Sequence, residues 1–224
     1  MGHGEDRHRV TGNLTLRTHR DAPSGSLVRL CAHRGASLGL VAAIALAGNL
    51  GREDLPFLPR ALVDEPCHLA TAMVVLGAFT RWRGRAPSRW FVWVMLSSSV
   101  LIDLDHLPLQ FGSAALTAGT PRPYTHALWL PAVLAAAAIL AGRRLRVSGS
   151  AGAAKSATLA AGAALGVAAH FLRDVATAPI ALGWPVSSAG VQVPASWYLA
   201  ALLILAILPS PRPGSASLPP PQVG

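Results

Sequence analysis

An all-α, polytopic membrane helical bundle of about six transmembrane helices is the fold this sequence predicts, on three observations. Hydrophobic residues make up 52% of the 224 residues and charged residues only 13%, with a mean hydropathy of +0.43; that charge share is about half that of a soluble domain. The apolar residues gather into six runs, at about 36–50, 61–80, 88–107, 124–142, 157–179 and 194–208. Basic residues gather between the runs, as Arg81, Arg83, Arg85 and Arg89 after the second and Arg143, Arg144, Arg146 and Lys155 after the fourth. The composition excludes a disordered chain, which needs low hydrophobicity and high charge. It also excludes a soluble enzyme, whose surface needs more charge than this. Cys31 and Cys67 make neither a disulfide framework nor a CxxC metal site.

Taken in order, residues 1–34 are polar and carry six Arg, which predicts a disordered basic cytoplasmic tail. Residues 35–208 form the membrane-embedded domain. Its first and last runs hold only about 15 apolar residues, short of the roughly 20 an upright span needs, so tilt or flanking turns must supplement them. Ala and Gly fill the fourth and fifth runs; small residues let membrane helices approach closely. Residues 209–224 are Pro- and Ser-rich and predict a second disordered tail.

The net charge of +9 would suit a nucleic acid, but its distribution does not. The basic clusters flank apolar runs, where retention of positive charge in the cytoplasm places them. The expected partner is therefore a lipid bilayer rather than a nucleic acid. Both termini and the 81–89 and 143–155 loops are expected in the cytoplasm of a multi-pass inner (plasma) membrane protein. The loops at 51–60, 108–123 and 180–193 are then expected outside.

Ionisable residues inside this frame are few. His68 opens the second run, Asp103, Asp105 and His106 close the third, His126 opens the fourth, and His170 and Asp174 close the fifth. With the topology above, all four groups meet at the outer face. Ionisable residues in membrane helices are costly and need mutual satisfaction. A cation provides it, and His with Asp suits Zn²⁺ or another first-row metal better than an all-oxygen ion. Asp103 and His106 are spaced i, i+3, and His170 and Asp174 i, i+4, so each pair shares a helix face. Singly, each has a plainer explanation: Asp103 to His106 as a helix end before Pro108, Thr125 as a helix cap, Asp64 and Glu65 as first-turn residues, Arg173 as the ion-pair partner of Asp174. Cys67 reads as packing. Jointly, the metal explanation prevails.

The stretches CHLATAMVVLG, IDLDH, RPYTHAL and HFLRDVATAPIALGWP carry a resemblance. Over about residues 65–208 the chain resembles inner-membrane, metal-dependent hydrolases of the YdjM-like, LexA-binding type. The family pattern is a His opening a helix, a D-x-D-H motif, an R-G-x-T-H-S motif, and H-x-x-x-D followed by W-P. Here Ile102 stands where a Pro commonly precedes D-x-D-H, and Pro123 and Ala127 depart from R-G-x-T-H-S. The resemblance implies that His68, Asp103, Asp105, His106, His126, His170 and Asp174 are the functional set. Its label also admits a LexA-type regulator as partner.

The function expected is a membrane-bound hydrolase holding one or two divalent ions, zinc by preference. It would cleave an ester or phosphoester of a lipid or envelope metabolite with metal-activated water. Asp105 is the expected general base and Arg122, the only cation in its loop, the clamp for an anionic substrate. The alternatives are a metal-ion or proton transporter, which would place its ionisable groups near the midplane, and a regulatory protein acting through the basic tail.

Overall fold

Each of the six apolar runs is a helix in the computed structural model, which describes residues 23–48, 57–117 and 119–209. They are α2 (Arg34–Gly48), α3 (Phe57–Arg83), α4 (Arg89–Leu101), α6 (Trp129–Ser148), α7 (Ala151–Thr177) and α8 (Ala195–Ile207). Among the described residues there is no β-strand, only one isolated antiparallel bridge between Ile180 and Val191. By length and composition three helices suffice to cross a membrane: Leu62–Arg83, Arg89–Gln110 and Ala151–Thr177. A fourth span results if α2 and the helix before it, α1 (Pro23–Ala32), a bent pair, are counted as one, and α8 is a shorter apolar helix. Large apolar side chains such as Trp93, Val133, Leu140, Leu203 and Ile204 point away from the bundle; an apolar exterior of this kind is what a lipid solvent requires.

Part of the expected tail is ordered. Residues 23–34 are not a disordered extension: α1 (Pro23–Ala32) is helical and buries Val28 and Cys31 against Ala72 and Leu76 of α3. The polar residues of this stretch hid Val28 and Cys31, which a partner helix covers, and Leu27, which it covers in part. A break at His33 turns the chain by 78° into α2, and the Ser37 hydroxyl donates to the freed Cys31 carbonyl at 3.0 Å. The rest of that tail, and nearly all of residues 209–224, lie outside the described residues, as does most of the 51–60 loop.

The third run does not end as an α-helix. After Leu101 the chain tightens into a 3₁₀ turn, Ile102–His106, and then a short α5 (Leu107–Gln110) with Pro108 in its first turn. The fourth run begins later than expected, at Trp129, because Pro123–Leu128 form turns, so Thr125 caps no helix. Beyond α5, residues 111–117, 119–128 and 178–194 lie across the same end of the bundle. They are joined by the Leu128 amide donating to the Leu182 carbonyl at 3.0 Å and by stacking of Tyr124 on Trp184, ring centroids 4.5 Å apart.

Helices α4 and α7 touch along their backbones. A Cβ at Gly162 would meet the Phe91 carbonyl oxygen at 2.8 Å, and one at Gly166 would meet Met95 backbone closer still. Small residues of this kind let membrane helices pack by backbone contact. Gly166→Val should therefore cost about 1–3 kcal/mol, since overpacking typically costs that much. Gly142→Ala, where nothing lies within 4 Å, should stay within about 0.5 kcal/mol of the parent. Unfolding in detergent measures both; equal losses would refute the helix-contact argument.

Candidate metal centre

Four separate stretches of chain deliver the predicted residues to one place. The 3₁₀ turn matters first. At three residues per turn, Asp103 and His106 stand in line on one face, while Asp105 points about 120° away. The α-to-3₁₀ change also ends α4 near Ser99, whose carbonyl is among those a helix end leaves without an intrahelical partner. His170 Nδ1 lies 2.9 Å from that oxygen. A carbonyl only accepts, so Nδ1 carries a proton and Nε2 is the ring atom turned toward Asp103 and Asp174. This is the backbone arrangement that orients metal-ligating imidazoles.

Four ligand atoms then converge. Asp103 Oδ1 lies 3.1 Å from His126 Nε2 and 3.4 Å from His170 Nε2. His126 Nε2 is 3.3 Å from His170 Nε2 and 3.4 Å from Asp174 Oδ2. His170 Nε2 is 3.1 Å from Asp174 Oδ2. Ligands about 2.0–2.2 Å from a four-coordinate ion sit roughly 3.3–3.6 Å from one another. Five of the six ligand–ligand edges thus fall close to that spacing. A second, overlapping group consists of Asp103, Asp105, His106 and His126. His106 Nε2 is 3.4 Å from Asp103 Oδ1 and 3.9 Å from Asp105 Oδ1.

The donor set fits a cation on a further count. His126, His170 and Asp174 are almost fully buried, and His126 Nδ1, His106 Nε2, Asp105 Oδ1 and Asp174 Oδ1 are buried without a hydrogen-bond partner among the described residues. Buried polar atoms are normally paired. Burial disfavours the charged form of His126, yet its hydrogen bond to Asp103 and the nearby carboxylates of Asp105 and Asp174 outweigh it, so its affinity for a proton is raised. The same field attracts a metal ion.

His68 sits beside both groups rather than within either. Its ring stacks on His170 with centroids 3.9 Å apart, and its Nε2 faces Asp174 Oδ1 at 3.6 Å and Asp103 Oδ2 at 3.9 Å. Asp105 is less free than the expected general base, because Thr125 donates to its Oδ2 and His126 Nδ1 lies 3.3 Å from the same oxygen. Arg122 does reach the site, but as a partner of Asp174, Nη1 to Oδ2 at 3.4 Å.

Two expectations require correction. Arg173 does not pair with its neighbour Asp174. Consecutive helical residues point about 100° apart, and the Arg173 guanidinium turns to Asp64 instead, with Nε 2.9 Å from Oδ1. Nor is Glu65 a first-turn residue: α3 begins at Phe57, Glu65 is near enough to Asp103 for the two carboxyl groups to interact, and its Oε2 is buried without a hydrogen-bond partner among the described residues. The Ser99 carbonyl carried no sequence signal, since any residue supplies one. Glu65 did have one: it lies three residues before His68, on the same face of α3.

No curated protein and no solved structure matches this chain. A family model does match, that of the YdjM inner membrane protein, over residues 63–218. The matched region contains every residue of the cluster, from Asp64 to Asp174, and more than half of the chain. With its all-α architecture and its apolar helices, the chain belongs to the YdjM inner membrane protein family.

Proposed function

We propose that this protein is a multi-pass, metal-dependent hydrolase with both termini in the cytoplasm and its site at the outer face, acting on an ester or phosphoester of a lipid or envelope metabolite. The observation that carries the proposal is the set of five ligand–ligand distances of 3.1–3.4 Å among Asp103, His126, His170 and Asp174. Those four residues would hold one divalent ion, zinc by preference, and Asp105 with His106 would help to hold a second. A bound ion supplies Lewis acidity, which polarises the scissile ester and makes water a competent nucleophile near neutral pH.

The chain's own groups do the rest. His170 is locked in one tautomer by the Ser99 carbonyl. Asp105, with one oxygen turned to Thr125 and His126, keeps Oδ1 for a proton or a second ion. Arg122 is anchored through its carbonyl, which accepts from the Thr120 hydroxyl at 2.6 Å. Its guanidinium, 3.4 Å from Asp174 Oδ2, would stabilise charge developing on a phosphoryl oxygen of a bound substrate.

Depth favours a site over a transport pathway. Asp174 lies three residues and His170 seven residues before the end of α7, so both belong to roughly the last two turns of that helix. A transporter would gather these groups nearer the midplane.

The test is hydrolysis of bis-p-nitrophenyl phosphate and p-nitrophenyl esters by zinc-loaded protein in detergent. Arg122→Ala should keep its metal and lose about 100-fold in kcat/KM on the phosphodiester. Arg122→Lys should recover part of that, because a lysine lacks the bidentate fork. Absence of zinc-dependent hydrolysis of every ester tried would remove the enzyme assignment.

A further inference from the structure

The opposite, arginine-rich end of the bundle contains a second built site that the metal centre does not use. The break between α1 and α2 and the last turn of α3 border an open cavity of about 600 Å³. Arg29, His33, Arg34, Arg81 and Arg85 line it, together with Thr80, and no carboxylate among the described residues does. Arg34 is near enough to Arg81 to repel it. Arg81, only 6% exposed, forms the floor: its guanidinium donates to the Leu208, Ala32 and Leu205 carbonyls and to the Ser37 hydroxyl. The exposed arginines Arg29, Arg34 and Arg85 are left to face the opening. α2 starts at Arg34, which lines the same cavity, and the first N–H groups of a helix have no intrahelical partners.

The second observation is Thr80. It is 8% exposed, and its hydroxyl is buried without a hydrogen-bond partner among the described residues. Helical threonines ordinarily donate to the carbonyl four residues back, and Thr71 and Thr158 do so, at 2.7 and 2.9 Å. Thr80 alone of these three keeps its hydroxyl unused, and it lines the cation-lined cavity. The other basic cavity, around Arg143 and Arg144 between α6 and α7, has no such buried group: Ser148, in its wall, donates to the Arg144 carbonyl.

We propose that the cavity between α1, α2 and α3 binds a phosphate-headed anion, whose oxygens accept from Arg29, Arg34, Arg85 and the Thr80 hydroxyl. A phospholipid headgroup of the adjoining leaflet and free phosphate share this chemistry. The proposal stands independently of the metal centre.

The test titrates full-length protein in neutral detergent with phosphatidylglycerol, with phosphatidylcholine of the same chains, and with inorganic phosphate, counting bound molecules by native mass spectrometry. Arg29→Gln/Arg34→Gln should weaken binding about thirtyfold, at roughly 1 kcal/mol per arginine. Thr80→Ala, which leaves the helix contacts intact, should weaken it about tenfold; Thr80→Ser should restore it. The control Arg143→Gln/Arg144→Gln should stay within about twofold of the parent. Phosphatidylglycerol binding that inorganic phosphate does not displace identifies a lipid headgroup; saturation by inorganic phosphate alone identifies the free anion. Binding of phosphatidylcholine as tightly as phosphatidylglycerol with none of phosphate overturns the proposal. An unchanged Thr80→Ala, or equal losses in the two double-arginine variants, does so as well.

Discussion

Asp174→Ala should strip zinc from the protein and lower any zinc-dependent hydrolysis by at least about 100-fold, because an incomplete ligand shell neither holds the ion nor activates water. The reason lies in how this one carboxylate is used. Its Oδ2 closes edges of 3.1 and 3.4 Å to His170 and His126, and its Oδ1 faces His68. His170→Ala should behave alike. Stoichiometry separates the two overlapping groups. If each holds an ion, His106→Ala should lose one equivalent and keep the other, whereas Asp103→Ala, common to both groups, should lose both. Glu65→Gln should weaken metal binding about tenfold, as loss of a group behind a ligand commonly does. Metal analysis of the purified variants measures all of these. Zinc retained by Asp174→Ala at parental stoichiometry would show the ligand set to be misassigned.

The convergence was legible because of its cost. His68, Asp103, His126 and Asp174 stood out as ionisable residues in an apolar chain, and basic clusters at alternate gaps placed them at one end. The six helices were legible for the same reason: apolar runs of this length have few other uses. What stayed hidden depended on local backbone or on distant partners. The 3₁₀ turn at Ile102–His106 changes the phase of Asp103 and His106 by only tens of degrees, and no composition encodes it. Helix α1 was masked by its own polar residues, since only Val28 and Cys31 among the described side chains are buried there. The roles of Thr125 and Glu65 were assigned from sequence neighbours, and side chains on helices serve whatever faces them in space.

Asp64 shows the last point most sharply, and it predicts the largest loss of stability. Arg173 is 2% exposed, packed near Cys67 and Tyr198, and its guanidinium bonds to Asp64 across the contact between α3 and α7. Removing one partner of a buried pair leaves an uncompensated charge, which costs about 3–5 kcal/mol. Asp64→Ala should therefore lower unfolding stability in detergent by about that amount. Metal stoichiometry at saturating zinc should stay parental, because Asp64 belongs to neither ligand group. Replacing both residues, Asp64→Ala with Arg173→Leu, should recover most of the loss, since a buried pair can often be exchanged for apolar side chains at little cost. The single variant Arg173→Leu should fall between the two, because Asp64 is partly exposed and water can solvate it. If the double variant were as unstable as Asp64→Ala, the loss would arise from packing at α3 rather than from a stranded guanidinium. If Asp64→Ala instead lost zinc while keeping its stability, Asp64 would be a metal ligand and the assignment of Arg173 as its partner would fail.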